Sequence, residues 1–128
     1  MKVAVDHHSV AGLAIVKVSG EIDVFASPEL RETLLALLDG GGRQFAIDLT
    51  DVDFLDSTGL GVLVGIYHRL RAVDGWMVFV CASERVRRVF HVTQLSKILI
   101  LHDTLDEALK ARTAPDAGGR AEGDDADR

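Results

Sequence analysis

Short apolar runs of period two alternate along this chain with segments whose apolar residues return every three or four positions, and that alternation leaves few folds open. Val3 and Val5, then Leu13 to Val18, are β-prone and separated by His7 to Gly12, which predicts an opening hairpin. Ser27 and Pro28 predict a helix start, with the serine oxygen as N-cap and proline in the first helical position. Leu30, Leu34, Leu37 and Leu38 continue it at helical spacing as far as Gly40, Gly41 and Gly42. Phe45, Ile47 and Leu49 alternate as a third strand. Leu60, Leu63, Val64, Tyr67 and Leu70 form one helical stripe, and Trp76 to Cys81 supply a fourth strand. A shorter helix is expected over Glu84 to His91 and a fifth strand over Ile98 to Leu101. Thr104 with Glu107 has capping-box spacing for a last helix through Lys110. The order ββαβαβαβα implies a single α/β domain with a mixed sheet covered by about four helices, because strand-helix-strand crossovers set neighbouring strands parallel.

With 128 residues there is length for one core only, and we place the domain over residues 1–112. Residues 113–128 carry no large apolar side chain, so they cannot offset the entropy of ordering and are expected to form a disordered acidic tail. Asp116, Glu122, Asp124, Asp125 and Asp127 there face only Arg120 and Arg128, so half of the net charge of −6 lies in this stretch. Fourteen lysines and arginines against 20 acidic residues oppose a phosphate-binding footprint, and nucleic acid is not an expected partner. No apolar run approaches the roughly 20 residues of a spanning helix, and Met1 to Asp6 lacks a signal pattern, so a cytoplasmic location without membrane contact is expected. Cys81 is the single cysteine and lies in an apolar run, which predicts a buried, inert thiol and no disulfide or zinc cluster. The Gly40 to Gly42 run lacks Walker spacing, and no cofactor is expected.

Polar chemistry concentrates in Asp48, Asp51, Asp53, Asp56, Ser57 and Thr58, between the third strand and the long helix, where α/β proteins often bind ligands. Asp51 and Asp53 form a DxD that would suit an aspartyl phosphatase with magnesium, but Ile47, Asp48, Leu49 and Thr50 are not a clean apolar strand before it. The glycine and glutamate of an EF-hand are missing, and Ser57 is not set in GxSxG. A structural reading makes Ser57 or Thr58 the helix N-cap, with the aspartates favourable at its positive end. That reading leaves Gly59, Gly61 and Gly65 unexplained, since an interior glycine costs roughly 1 kcal/mol against alanine. Gly61, Gly65, His68 and Ala72 share one helical face, which admits either a neighbouring helix of this chain or an external partner. A third reading makes Ser57 a phosphorylation switch, because a helix N-terminus accommodates phosphate without unfolding while the added charge repels a partner.

Asp56, Ser57, Thr58, Gly59, Leu60, Gly61 and Val62, preceded by Asp48, Leu49, Val52, Asp53 and Phe54, resemble the signature of STAS-domain anti-sigma factor antagonists. Gly20, Glu21, Ile22 and Asp23, the Ser27 to Leu30 helix start, and Val80, Cys81, Glu84 to Val86, Phe90 and Leu95 match the same family, so the resemblance runs from about Met1 to Ala111. It implies a non-enzymatic protein that binds an anti-sigma factor with a histidine-kinase-like ATPase fold and so frees the sigma factor. In that scheme the partner phosphorylates Ser57, a PP2C-type phosphatase restores the binding form, Asp23 assists beside the acceptor, and Thr58 is the alternative hydroxyl. The implied surface comprises Asp23, Asp53, Asp56, Ser57, Thr58, Gly59 and Gly61. The alternative within the family is an unswitched STAS scaffold in a larger signalling or transport assembly. Locally, Asp23 also reads as a turn residue after a strand.

Overall fold

A computed structural model describes residues 3–10, 12–81 and 83–113, so most of the segment expected to form an acidic tail lies outside the described residues. The chain folds in the order β1 (Ala4–Val10), β2 (Leu13–Ile22), α1 (Ser27–Asp39), β3 (Gln44–Leu55), α2 (Ser57–Ala72), β4 (Trp76–Val80), α3 (Glu84–Val92), a short 3-10 turn (Leu95–Lys97), β5 (Leu101–His102) and α4 (Leu105–Thr113). The five strands lie in the sheet in chain order. β1 and β2 pair antiparallel, and each later strand adds parallel to the one before.

That monotonic order determines the layering. Successive parallel crossovers of the same hand, all advancing across the sheet in one direction, deliver their helices to one face. Leu30 and Leu34 of α1, Leu60, Leu63, Ile66 and Leu70 of α2, and Val86 and Phe90 of α3 bury there against Val16, Phe45, Ile47, Leu49, Met77 and Phe79. The helix α4 follows the last strand and takes the opposite face, where Ala108 and Leu105 cover Ile15, Ala46, Val78 and Val80. The same topology collects the loops that follow β2, β3 and β4 at the carboxyl edge of the sheet, where open α/β sheets place their sites.

The expected element order is the observed one, with shifts at the ends of elements. β1 runs on to Val10, with His7 paired to Val16 and His8 to Ile15, so residues 7–10 of the expected turn are strand and the ladder extends to the pair Val10 and Leu13; backbone pairing with β2 overrides the polar residues of this edge strand. The fifth strand is only Leu101–His102, because the amides of Ile98 and Leu99 turn back to the Leu95 carbonyl at 3.0 and 2.7 Å, just after the 3-10 turn, instead of joining the ladder. Thr104 does cap the last helix, its hydroxyl accepting from the Glu107 amide at 3.1 Å, and the helix continues past Lys110 to Thr113. Cys81 is buried, and desolvation there pushes its thiol above the ordinary cysteine value, which favours the protonated, unreactive form. No helix among the described residues is long and apolar enough to cross a membrane.

Candidate functional site

The carboxyl ends of β2 and β3 lie side by side, and the Asp56 amide closes the edge by donating to the Ile22 carbonyl at 3.2 Å. Beyond Ile22 the chain turns at Asp23, whose Oδ1 accepts from the amides of Phe25 (3.0 Å) and Ala26 (2.9 Å). The Asp23 carbonyl accepts from the Ser27 amide at 2.9 Å and the Ser27 hydroxyl at 2.6 Å. Ser27 is therefore not the expected N-cap. Ala26 occupies that position without a side-chain cap, and Ser27, 3% exposed, turns its hydroxyl back to fasten the loop while Pro28 holds the first turn as expected. A short polar side chain that bonds its own backbone two and three residues on is a turn device, so the local reading of Asp23 holds.

The second loop is a single residue. Asp56, in extended conformation, is the N-cap of α2, and its Oδ1 accepts from the Gly59 amide at 3.0 Å. The sequence reading that made Ser57 or Thr58 the cap is thus corrected: Asp56 fills the cap, and both hydroxyl residues sit inside the first turn, exposed. Among the described residues neither hydroxyl has a hydrogen-bond partner, and the amides of Ser57 and Thr58 have no acceptor, as the opening amides of a helix lack one within it.

β3 is longer than its apolar alternation predicts, running through Leu55 instead of ending at Leu49. Gly20 pairs with Val52 and Glu21 with Phe54, so Asp53 is an extra, bulged residue on β3. The bulge resets the alternation: Asp53 and Phe54 are both exposed while Leu55 is buried. Asp51 lies within the strand, not on a loop, and pairs with Lys17 at 3.6 Å, while Asp48 accepts from the Thr50 amide and hydroxyl. The DxD therefore does not sit at a strand end, where an aspartyl nucleophile would need to be, and the aspartates are divided between strand positions, a bulge and a cap.

This edge also carries an apolar feature missed at the level of sequence. Val24 and Phe25 in the Asp23 loop are 55% and 88% exposed, and Phe54 on the bulge is 43% exposed. The signal was the placing of two large apolar residues between Asp23 and the Ala26–Ser27–Pro28 helix start, where the chain has to turn and loops run over the surface. Asp23, Asp53, Asp56, Ser57 and Thr58 thus surround an edge that combines aromatic surface with carboxylates and a free hydroxyl.

The three glycines of α2 separate into two kinds. A Cβ on Gly59 would lie 2.5 Å from Ile22 Cγ2 and 2.8 Å from Leu55 Cδ1, so glycine is what lets the helix start sit against the ends of β2 and β3. Gly61 and Gly65 are exposed, and a Cβ there would meet no atom of the described residues within 4 Å. Among the described residues no neighbouring helix explains them. The buried stripe of α2 runs through Ile66 as well as Leu60, Leu63 and Leu70, with Val64 and Tyr67 only half-buried and His68 exposed.

The STAS domain pattern matches residues 3–108 of this chain. The anti-sigma-B factor antagonist of Staphylococcus aureus is 36% identical over 88 residues, spanning 69% of this chain and 82% of that protein. Among solved structures, an anti-sigma factor antagonist from Mycobacterium paratuberculosis superposes with a TM-score of 0.81 at 34% identity, over 86% of this chain and 93% of the other. The Bacillus cell fate determinant SpoIIAA in its phosphorylated form shares the fold, with a TM-score of 0.67 at 24% identity over 84% of this chain and 97% of that one.

Two predictions separate what the fold needs from what it leaves free. Gly59→Ala lowers unfolding free energy by about 1–3 kcal/mol, the scale of overpacking, whereas Gly61→Ala raises it by about 0.5–1 kcal/mol; urea unfolding of both variants checks the contrast. Asp23→Ala loses about 0.5–2 kcal/mol by the same measurement, the range for a lost cap, while Asp23→Asn keeps most of it because the amide oxygen accepts the same two bonds.

Proposed function

The chain belongs to the STAS domain family, and from that premise we propose that it is an anti-sigma factor antagonist whose capture of its partner is ended by phosphate on Ser57. The unmodified form binds an anti-sigma factor with a histidine-kinase-like ATPase fold in the cytoplasm and so releases the sigma factor. The protein is a binding module, not an enzyme. The partner supplies the phosphoryl group from ATP to Ser57 Oγ, and a PP2C-type phosphatase hydrolyses it off again.

One observation carries this reading. The Ser57 hydroxyl stands exposed on the first turn of α2, without a partner among the described residues, while Asp56 does the capping. A hydroxyl with no structural duty can be esterified without loss of an internal bond, and the amides of Ser57 and Thr58 favour an anion there. The fold is then preserved, and the added charge of about −1.5 to −2 acts outward, beside Asp53 and Asp56. A partner surface fitted to a neutral hydroxyl and to the exposed Phe25 meets repulsion and the loss of an apolar contact. The names of the relatives support the partner class, and the SpoIIAA structure shows that a protein of this fold exists in a phosphorylated form.

Ser57→Ala keeps partner affinity within about twofold, and Ser57→Asp weakens it by at least roughly tenfold, with both variants melting within about 2 °C of the parent. Titration calorimetry against the purified anti-sigma factor measures this. Equal binding by both variants contradicts the switch and leaves an unswitched scaffold.

A further inference from the structure

We propose that the edge strand β1 is a self-association surface, on which a second copy of this chain lays its own β1 antiparallel about a two-fold axis at His7. The inference stands apart from the switch at Ser57. It joins two molecules through one continuous sheet, five strands from each copy, and leaves both Ser57 ends open.

The sheet has two edges, and they differ in protection. β5 closes one with only two residues, Leu101 and His102, and shortness is itself a protection of an edge. β1 forms the other with seven residues, Ala4–Val10, all exposed but Val5, and among the described residues nothing pairs with its outer side. The usual safeguards are missing from it. The strand has no proline, glycine or lysine, and its seven pairs with β2 run from Ala4 and Ser19 to Val10 and Leu13 without a bulge. The register shifts of this sheet lie instead between β2 and β3. An unbulged edge of this length presents a row of unanswered amides and carbonyls in strand geometry, which is what an added strand pairs with.

The order of side chains singles out the occupant. Ala4–Val10 is centred on His7, so two copies paired over the full strand place Asp6 opposite the second copy's His8 and His8 opposite its Asp6. Ala4 then meets Val10, Val5 meets Ser9, and His7 meets itself. Directly opposed residues of an antiparallel pair share a face of the sheet, so an aspartate carboxylate faces an imidazole N–H twice in each dimer. Shifting the register by two residues one way sets Asp6 against its own copy, and the other way sets it against Val10, so the charges select the centred pairing. The axis is normal to the sheet, which keeps α1, α2 and α3 of both copies on one face and turns the two carboxyl edges to opposite ends. Residues 114–128 suit the edge less well, with Pro115, three glycines and no β-branched or aromatic residue.

The test is sedimentation equilibrium of the full chain from about 5 to 500 µM, since pairing along one strand buries less than the roughly 1,200 Å² of a tight interface and a Kd of about 10–500 µM is expected. His8→Glu sets carboxylates against each other at both ends of the pairing, and Asp6→Lys removes both carboxylates; each weakens self-association at least roughly tenfold. Mixed in equal amounts, the two variants form a heterodimer at least as tight as the parent, because the new lysine faces the new glutamate while the remaining Asp6 faces the remaining His8. Recovery in the mixture also shows that both variants are folded. His7→Cys forms an intermolecular disulfide under mild oxidation at least roughly tenfold faster than Ser9→Cys, because position 7 alone lies opposite itself and Cys81, the other thiol, is buried. A parent chain that stays monomeric at about 500 µM overturns the proposal, as do charge variants within about twofold of the parent or a mixture no tighter than its components. Amides of β1 that gain exchange protection only when the anti-sigma factor is added assign the edge to that partner and overturn it as well.

Discussion

The parallel pairing of β2 with β3 is the constraint on which the functional end of this molecule depends. Through it Ile22 and Leu55 end together, and the bond from the Asp56 amide to the Ile22 carbonyl sets the first turn of α2 against the loop that begins at Asp23. Gly59 makes the approach possible, since a methyl group there would collide with both strand ends. Register, helix start and loop are therefore one mechanical unit, and a change in any of them moves the Ser57 hydroxyl relative to the exposed Phe25.

Within that unit the polar residues divide by duty. Asp23 spends its carboxylate on the amides of its own loop, Phe25 and Ala26, and Asp56 on the Gly59 amide in the first turn of α2, which keeps two short loops in fixed conformations. Asp53 is lifted out of the ladder by the bulge, and Ser57 and Thr58 are left with no internal bond among the described residues. Rigid supports carrying unengaged groups are what a recognition edge requires, because ordering the loops has been done by folding and need not be repeated on binding.

Much of the fold was legible because burial on one helix face or one strand face leaves a period in the sequence. The stripe from Leu60 to Leu70 and the alternation of Phe45, Ile47 and Leu49 both mark elements that the structure contains. What was not legible lies where periodicity stops being informative. A first irregularity between Asp48 and Asp51, which leaves Thr50 and Asp51 both exposed, breaks the alternation of β3 directly after Leu49, and the bulge at Asp53 breaks it again, so the strand seemed to end at Leu49; polar residues on the edge strand β1 hid pairing that backbone hydrogen bonds supply. Capping was misassigned at two helix starts for different reasons: before α2 Asp56, Ser57 and Thr58 are consecutive candidates among which only the chain path decides, whereas before α1 the Ser27 hydroxyl is drawn back to the Asp23 carbonyl and Ala26 holds the cap position without a side-chain bond. The polar residues that the structure gathers at this edge stood out in the sequence as a motif, whereas Val24 and Phe25 passed as ordinary apolar residues because exposure leaves no periodic mark.

The Ser57 hydroxyl, which the fold leaves without an internal bond among the described residues, is where we propose that a partner places phosphate. The most direct test of that proposal is peptide mass spectrometry of the protein isolated from its native host, before and after treatment with a PP2C-type phosphatase. A phosphate on Ser57 that changes in occupancy between growth and stress, and that the phosphatase removes, is the predicted result. Ser57 unmodified under every condition, or phosphate carried only at another residue, contradicts it.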